Sequence, residues 1–160
     1  MKKAITTSAI VIALSLSSLC PASAETSENS IQDSARAVQY FEDELNFKTN
    51  PHFVNKVIKD KIPNITIVDV RSANDFAKGH IPGAVNVPYD KFNSFDGSET
   101  EFAGLNKDGF NLVYCYTKTC TLSQKAGKKF ASLGYPVKEI VGGYELWAEE
   151  KNSIETGDGK

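Results

Sequence analysis

The 160-residue chain is long enough for one ordinary domain with a real core, and 41% apolar with 24% charged residues is the balance of a soluble globular protein. A formal net charge of −2 with no basic block gives no footing to a nucleic-acid partner. Arginine occurs only at Arg36 and Arg71, so the other cations are lysines.

Residues 1–24 read as a targeting segment rather than as fold. Lys2 and Lys3 give a positive start, Ala4–Leu19 is mostly apolar, and Ala22-Ser23-Ala24 is an A-x-A cleavage site. The apolar stretch is short against the ~20 residues of a membrane span. A secretory signal cut after Ala24 is the expectation, with no stable span left after removal; an uncleaved anchor is the alternative. Cys20 follows Leu19, a poor lipobox context. The mature chain then holds 16 cations against 20 anions and two cysteines, Cys115 and Cys120. A periplasmic or secreted location is oxidising, and a disulfide would persist there. Cysteines five positions apart close too short a loop to be an effective structural staple, which favours a reactive role.

Residues 25–45 form an N-terminal extension. Glu25–Asn29 is polar and loose, and Ser30-Ile31-Gln32-Asp33 starts a helix with Ile31, Ala35, Val38, Phe41 and Leu45 on one face. That face is expected to pack on the outside of the domain; a partner-binding helix is the other reading. The domain proper is placed at residues 46–150. Asn46–Lys48 is a short edge strand, and Asn50-Pro51 opens a helix with Phe53, Val54, Val57 and Ile58 as its apolar side. Pro63-Asn64 ends it. Ile65–Val70 is continuous and β-branched, as in a strand covered on both faces. Ser72–Asp75 caps a short helix, Gly79–Gly83 turns, and Ala84–Val87 is a short strand. Asp96-Gly97-Ser98 marks a loop, and Phe102–Leu105 carries a helical turn.

The chain is organised around Asn111–Gln124. Leu112, Val113 and Tyr114 read as a buried strand, and Thr121-Leu122-Ser123-Gln124 is a capping-box pattern starting a helix at Thr121. Leu122, Ala126, Phe130 and Leu133 follow at helical spacing, with Gly134 at the far end. Cys115 therefore stands between a strand end and a helix N-terminus, where free amides and the helix dipole favour an anion and depress a thiol pKa. Val137–Val141 is a last strand, and Gly142-Gly143 leads into a helix with Tyr144, Leu146 and Trp147. Residues 151–160 are a polar tail, expected to be disordered from Asn152. Alternating strands and helices imply an α/β fold with one parallel sheet, and reactive groups lie beyond the C-terminal strand ends of such sheets.

Several pieces of the chain, in order, resemble the rhodanese-like family: Asp69-Val70-Arg71, Gly79-His80-Ile81-Pro82-Gly83-Ala84-Val85-Asn86-Val87-Pro88, Val113-Tyr114-Cys115, Gly134-Tyr135, and Gly142-Gly143 with Trp147. Together they cover roughly residues 46–150. The resemblance implies a central five-stranded parallel sheet with helices on both faces, here with an extra N-terminal helix. It implies sulfur transfer through a persulfide on Cys115, with the amides of Tyr116–Cys120 cradling persulfide and anionic donor. The loop departs from the usual family pattern in offering Lys118 and Cys120 and no arginine, and it looks like a less common branch with a second loop cysteine.

On this reading Cys115 is the catalytic residue, and Tyr116, Thr117, Lys118, Thr119, Cys120 and Thr121 form the substrate-binding loop. Its thiolate attacks a sulfane sulfur, for example of thiosulfate, and a thiol or cyanide then takes the outer sulfur, with no cofactor. Cys120 is a resolving thiol, a second binding group or a passive small residue. Lys118 attracts an anionic donor or is an ordinary loop lysine. Asp69 and Arg71 form a structural network beside the loop, His80 holds the Gly79–Gly83 turn, and His52 is a surface residue. Two isolated histidines give no metal-ligand pattern. The partners are a small sulfur donor and a thiol acceptor, with room for a protein partner. A thiol–disulfide protein using Cys115 and Cys120, or a non-catalytic binding module, are the other functional readings. A phosphatase or arsenate reductase needs a loop arginine to clamp a tetrahedral oxyanion, and none is present.

Overall fold

β-Branched residues at Ile65, Thr66, Ile67 and Val68 stiffen the strand that sets the middle of the sheet. The computed structural model describes residues 33–89 and 101–158; the expected signal segment with Cys20, and the stretches read as a loose Glu25–Asn29, a Ser30–Gln32 helix start and an Asp96–Ser98 loop, lie outside them. In chain order the elements are α1 (Ser34–Phe47), β1 (Lys48–Thr49), α2 (Pro51–Asp60), β2 (Ile65–Asp69), α3 (Ala73–Lys78), β3 (Val85–Asn86), β4 (Phe110–Tyr114), α4 (Leu122–Ser132), β5 (Val137–Ile140) and α5 (Gly143–Glu149). The strands make one five-stranded sheet in the order β1-β5-β4-β2-β3, every pairing parallel. The α/β architecture is the one the resemblance implied.

Register decides which side chain meets which layer. Ile67 lies opposite Leu112 and Asp69 opposite Tyr114. Leu112 and Tyr114 pack on one face with Val54, Ile81 and Trp147. Val113 and Cys115 point to the other face, where α4 supplies Ala126 and Phe130. The period-2 alternation of a strand thus carries Cys115 to the α4 side, one residue past the end of β4.

Local signals act where the chemistry allows. Asn50 caps α2 through its side chain to the Phe53 amide at 3.0 Å, with Pro51 at the first helical position. Ser72 caps α3 by accepting from the Asp75 amide at 3.2 Å. Thr121 occupies the N-cap of α4 but makes no side-chain capping bond, so the capping box is not formed. Its backbone, at φ −95° and ψ 6°, is outside the extended conformation that aims a capping hydroxyl at the helix amides. Phe102–Leu105 is a hydrogen-bonded turn rather than helix, closed by the Leu105 amide on the Phe102 carbonyl at 3.3 Å.

Two expectations are corrected. The apolar stripe of α1 is not a packed face: Val38 and Phe41 are exposed and Leu45 is 79% exposed. The helix instead turns Asp43, Glu44 and Phe47 toward α4 and β5, and Glu44 holds Lys48 of β1 at 2.6 Å. The tail is ordered by specific bonds through Gly157. Trp147 donates its indole N–H to the Ser153 carbonyl at 2.8 Å, and His80 and Glu155 exchange backbone bonds at 2.8 and 3.0 Å. Gly157 donates to the Ala77 carbonyl at 2.8 Å. A polar composition did not prevent order because the backbone found partners in the Gly79–Gly83 turn.

Trp147→Phe keeps most of the ring burial and removes the bond to Ser153. It should cost about 0.5–1.5 kcal/mol in urea unfolding and raise amide exchange at Glu155 and Gly157 before any effect on β2 or β4.

Candidate active site

The loop after β4 is supported from three directions. From α5, the Tyr144 amide donates to the Cys115 carbonyl and the Glu145 amide to the Tyr116 carbonyl, each at 2.9 Å. This approach needs Gly143: its φ is +62°, and a Cβ there would lie 2.7 Å from the Cys115 carbonyl oxygen and 3.1 Å from the Thr117 nitrogen. From α3, the Ser72 amide donates to the Tyr116 hydroxyl at 3.1 Å, and that hydroxyl donates to Asp75 at 3.0 Å. Hydrogen bonds from Ser72, Lys78 and Tyr116 hold the Asp75 carboxyl down to about 2. Within the loop, the Cys120 amide closes a turn on the Thr117 carbonyl at 3.1 Å, and Thr119 donates its amide to the Thr117 hydroxyl at 3.3 Å.

The third support is Arg71. Its Nε bonds both Asp69 carboxylate oxygens at 3.1 and 3.0 Å, and Nη2 bonds Asp69 at 2.7 Å and the Gly79 carbonyl at 2.6 Å. The guanidinium lies 3.9 Å from the Tyr144 ring centroid, with the Tyr114 and Tyr116 rings at 5.7 and 5.8 Å. Asp69 and Arg71 are both buried and reach neither thiol in any described bond. His80 is buried, donates from Nδ1 to the Phe76 carbonyl at 2.9 Å, and stacks on the Phe76 ring. His52 is exposed. Lys118, Thr119 and Thr121 are exposed, and Tyr116, Thr117 and Cys120 are half-buried.

Cys115 is only 1% exposed. Its thiol donates to the Cys120 carbonyl at 3.3 Å and lies 3.4 Å from the Ser123 hydroxyl. Both cysteines are free thiols. Burial, and then the hydrogen bond with Cys120, push the Cys115 thiol up. At Cys120 partial burial opposes ionisation. The hydrogen bond from Cys115 and those from the amides of Leu122, Tyr116 and Thr117 outweigh it and hold Cys120 below the ordinary thiol range. The helix-terminus argument assigned the depressed thiol to Cys115. The loop amides converge on Cys120 instead, and burial dominates at Cys115.

Two residues near the sulfur escaped sequence reasoning. Ser123 was visible only as part of a helix start, yet its side chain is buried against Cys115 and donates to Glu139 at 2.7 Å. Glu139 lies opposite Val113 in the β4–β5 pairing and so shares the α4 side of the sheet with Cys115. The one available signal was a carboxylate inside Val137–Val141, a run that otherwise reads as a covered strand.

Two outcomes follow. Iodoacetamide at pH 7 should label Cys120 well ahead of Cys115 in peptide mass spectra, with the Cys120 rate midpoint below that of an ordinary thiol; faster labelling of Cys115 would contradict the charge assignment. Arg71→Ala, which strands the buried Asp69 carboxylate, should cost about 3–5 kcal/mol in denaturant unfolding.

Residues 52–150 match the Rhodanese-like domain family. The chain is 35% identical over 82 residues to the thiosulfate sulfurtransferase GlpE of Pseudomonas putida, covering 51% of this chain and 67% of that protein. It is 30% identical over 109 residues to the adenylyltransferase and sulfurtransferase UBA4 of Candida albicans, covering 67% of this chain and 24% of that one. The chain spans only about a quarter to a third of the length of the first curated relatives it matches. Among solved structures, the BH2092 protein of Bacillus halodurans superposes with a TM-score of 0.65 at 31% identity, covering 79% of this chain and 89% of that one. On the family match, the sheet order and the thiol at the end of β4, the chain belongs to the rhodanese-like domain family.

Proposed function

We propose that this protein is a sulfurtransferase that carries sulfane sulfur as a persulfide on Cys115. The observation that supports this most is the placement of Cys115, one residue beyond β4 and directly before a loop in which backbone amides lower the neighbouring Cys120 thiol. The thiosulfate sulfurtransferase named among the relatives supports the same reaction class.

Burial raises the Cys115 thiol and hydrogen bonding lowers that of Cys120, so Cys120 is the readier of the two to lose its proton. The two thiols are neighbours, and passing the proton to Cys120 turns Cys115 into the nucleophile. Its Sγ then attacks the sulfane sulfur of thiosulfate. The S–S bond of the donor breaks, sulfite leaves with the bonding electrons, and Cys115 keeps the outer sulfur as a persulfide anion. Loop amides stabilise that anion. An acceptor thiolate or cyanide attacks the outer sulfur and releases the Cys115 thiolate. The donor approaches from the loop side, where exposed Lys118 offers a positive charge to an anion. Export follows in this reading from the Ala22-Ser23-Ala24 site, and the partners are small sulfur donors and thiol acceptors.

The adjacency of the two thiols favours a second reading. The Cys120 thiolate attacks the inner sulfur of the Cys115 persulfide and expels hydrosulfide. That step oxidises the two cysteines to a disulfide and reduces the sulfane sulfur to sulfide.

Intact mass spectrometry after thiosulfate or polysulfide separates these outcomes. A gain of one sulfur, abolished by Cys115→Ser and retained in Cys120→Ser, is expected for the carrier. A loss of two hydrogens that requires both cysteines, with sulfide release, identifies the disulfide path. No change with any sulfane donor would refute sulfur transfer at this site.

A further inference from the structure

Ser123 stands between Cys115 and a cavity of about 340 Å³ bounded by α1, α4 and β5, with Glu139 on the cavity's wall. Ser123 is 3% exposed, so water does not substitute for its partners. Its hydroxyl donates to Glu139 Oε1 at 2.7 Å, and Gln124 Nε2 donates to Glu139 Oε2 at 3.4 Å. A serine hydroxyl has one hydrogen. While Glu139 holds it, Ser123 Oγ offers Cys115 only a lone pair. The other close partner of Cys115 Sγ, the Cys120 carbonyl at 3.3 Å, is also an acceptor. The Ser123 backbone amide faces the sulfur as a donor; against it, the two acceptors favour a hydrogen on that sulfur and disfavour a thiolate.

We propose that Glu139, acting through Ser123, is a positioning residue that holds Cys115 in its protonated thiol form. Ionising Cys115 requires the Ser123 hydroxyl to rotate from Glu139 onto Sγ, where it becomes a donor to the thiolate. Glu139 then keeps the Gln124 amide. The buried thiol is thereby inert until that hydroxyl turns. No bond between heavy atoms changes in this step; one proton passes from Cys115 to the neighbouring Cys120 sulfur, or to solvent where Cys120 is replaced, and one hydrogen bond is redirected.

The groups facing the pair are defined. The cavity also presents Lys48 of β1, Asp43 and Glu44 of α1, Lys128 of α4 and Lys138 of β5. Lys48 is bonded to Glu44 and feels the charge of Glu139. From the loop, Cys120 faces Cys115. The proposal deepens the Cys115 reading above and rests on it for the identity of the reactive sulfur. Its test reads protonation, so a failure of sulfur transfer and a failure of this control are told apart.

The measurement is the 13Cβ chemical shift of Cys115 against pH, in a Cys120→Ser background that removes the competing thiol and keeps its carbonyl. Adding Glu139→Ala should lower the Cys115 titration midpoint by about 1 pH unit, because Ser123 is then free to donate to the thiolate. Glu139→Gln preserves the size of the side chain and guards against misfolding; it should shift the midpoint the same way by less. Adding Ser123→Ala should abolish the effect of Glu139→Ala. An unchanged or raised midpoint in both Glu139 variants overturns the proposal. A lowered midpoint that persists in full without Ser123 is a through-space charge effect and overturns the route through the hydroxyl.

Discussion

Arg71 keeps a full charge where almost no water reaches, and five parts of the chain are arranged to make that tolerable. Asp69, two residues earlier at the end of β2, takes the Nε–Nη2 edge of the guanidinium. The Gly79 carbonyl takes a further Nη2 hydrogen, and rings from β4, the loop and α5 cover the flat faces. An ion pair of this kind gains little net energy over an apolar filling, because desolvating two charges offsets their attraction. Its value is geometric. A planar fork with fixed donors admits few arrangements of its neighbours. The strand end, the turn and the loop base are held in one relation, and the thiols stand on that base.

Much of this was legible in the chain itself. The continuous β-branched run of β2 and the apolar run of β4 announced covered parallel strands, and side-chain parity then places Cys115 under α4 without further information. Asn50-Pro51 and Ser72 are caps whose chemistry is local, so they read correctly. What was hidden depends on long-range geometry. Helical periodicity in α1 identified an apolar stripe but not whether anything covers it, and in the described residues the stripe stays open. Thr121 matched a capping pattern that the loop's backbone angles do not permit. The charge on the loop was misassigned because a helix-terminus argument ranks a position, not a sulfur. Which sulfur the amides reach depends on the curl from Thr117 to Cys120, and that curl has no sequence signature.

The two thiols illustrate how a single fold position acquires two chemical characters. Strand parity buries one sulfur among apolar side chains, while the turn that follows lifts the second into the amide cradle. Burial and hydrogen bonding therefore act on neighbouring atoms in opposite directions.

The carboxyl-terminal segment carries a mechanical consequence. Family similarity ends at residue 150, whereas backbone bonding continues to Gly157. The strap formed by Ser153–Gly157 is laced to Ala77 and His80, on either side of the Gly79 carbonyl that Arg71 uses. Tension applied beyond Asp158, by a tether or a docked neighbour, would pass through three backbone contacts to the residue that steadies the loop base. The strap is therefore a lever arm whose fulcrum lies beside the Arg71–Asp69 pair.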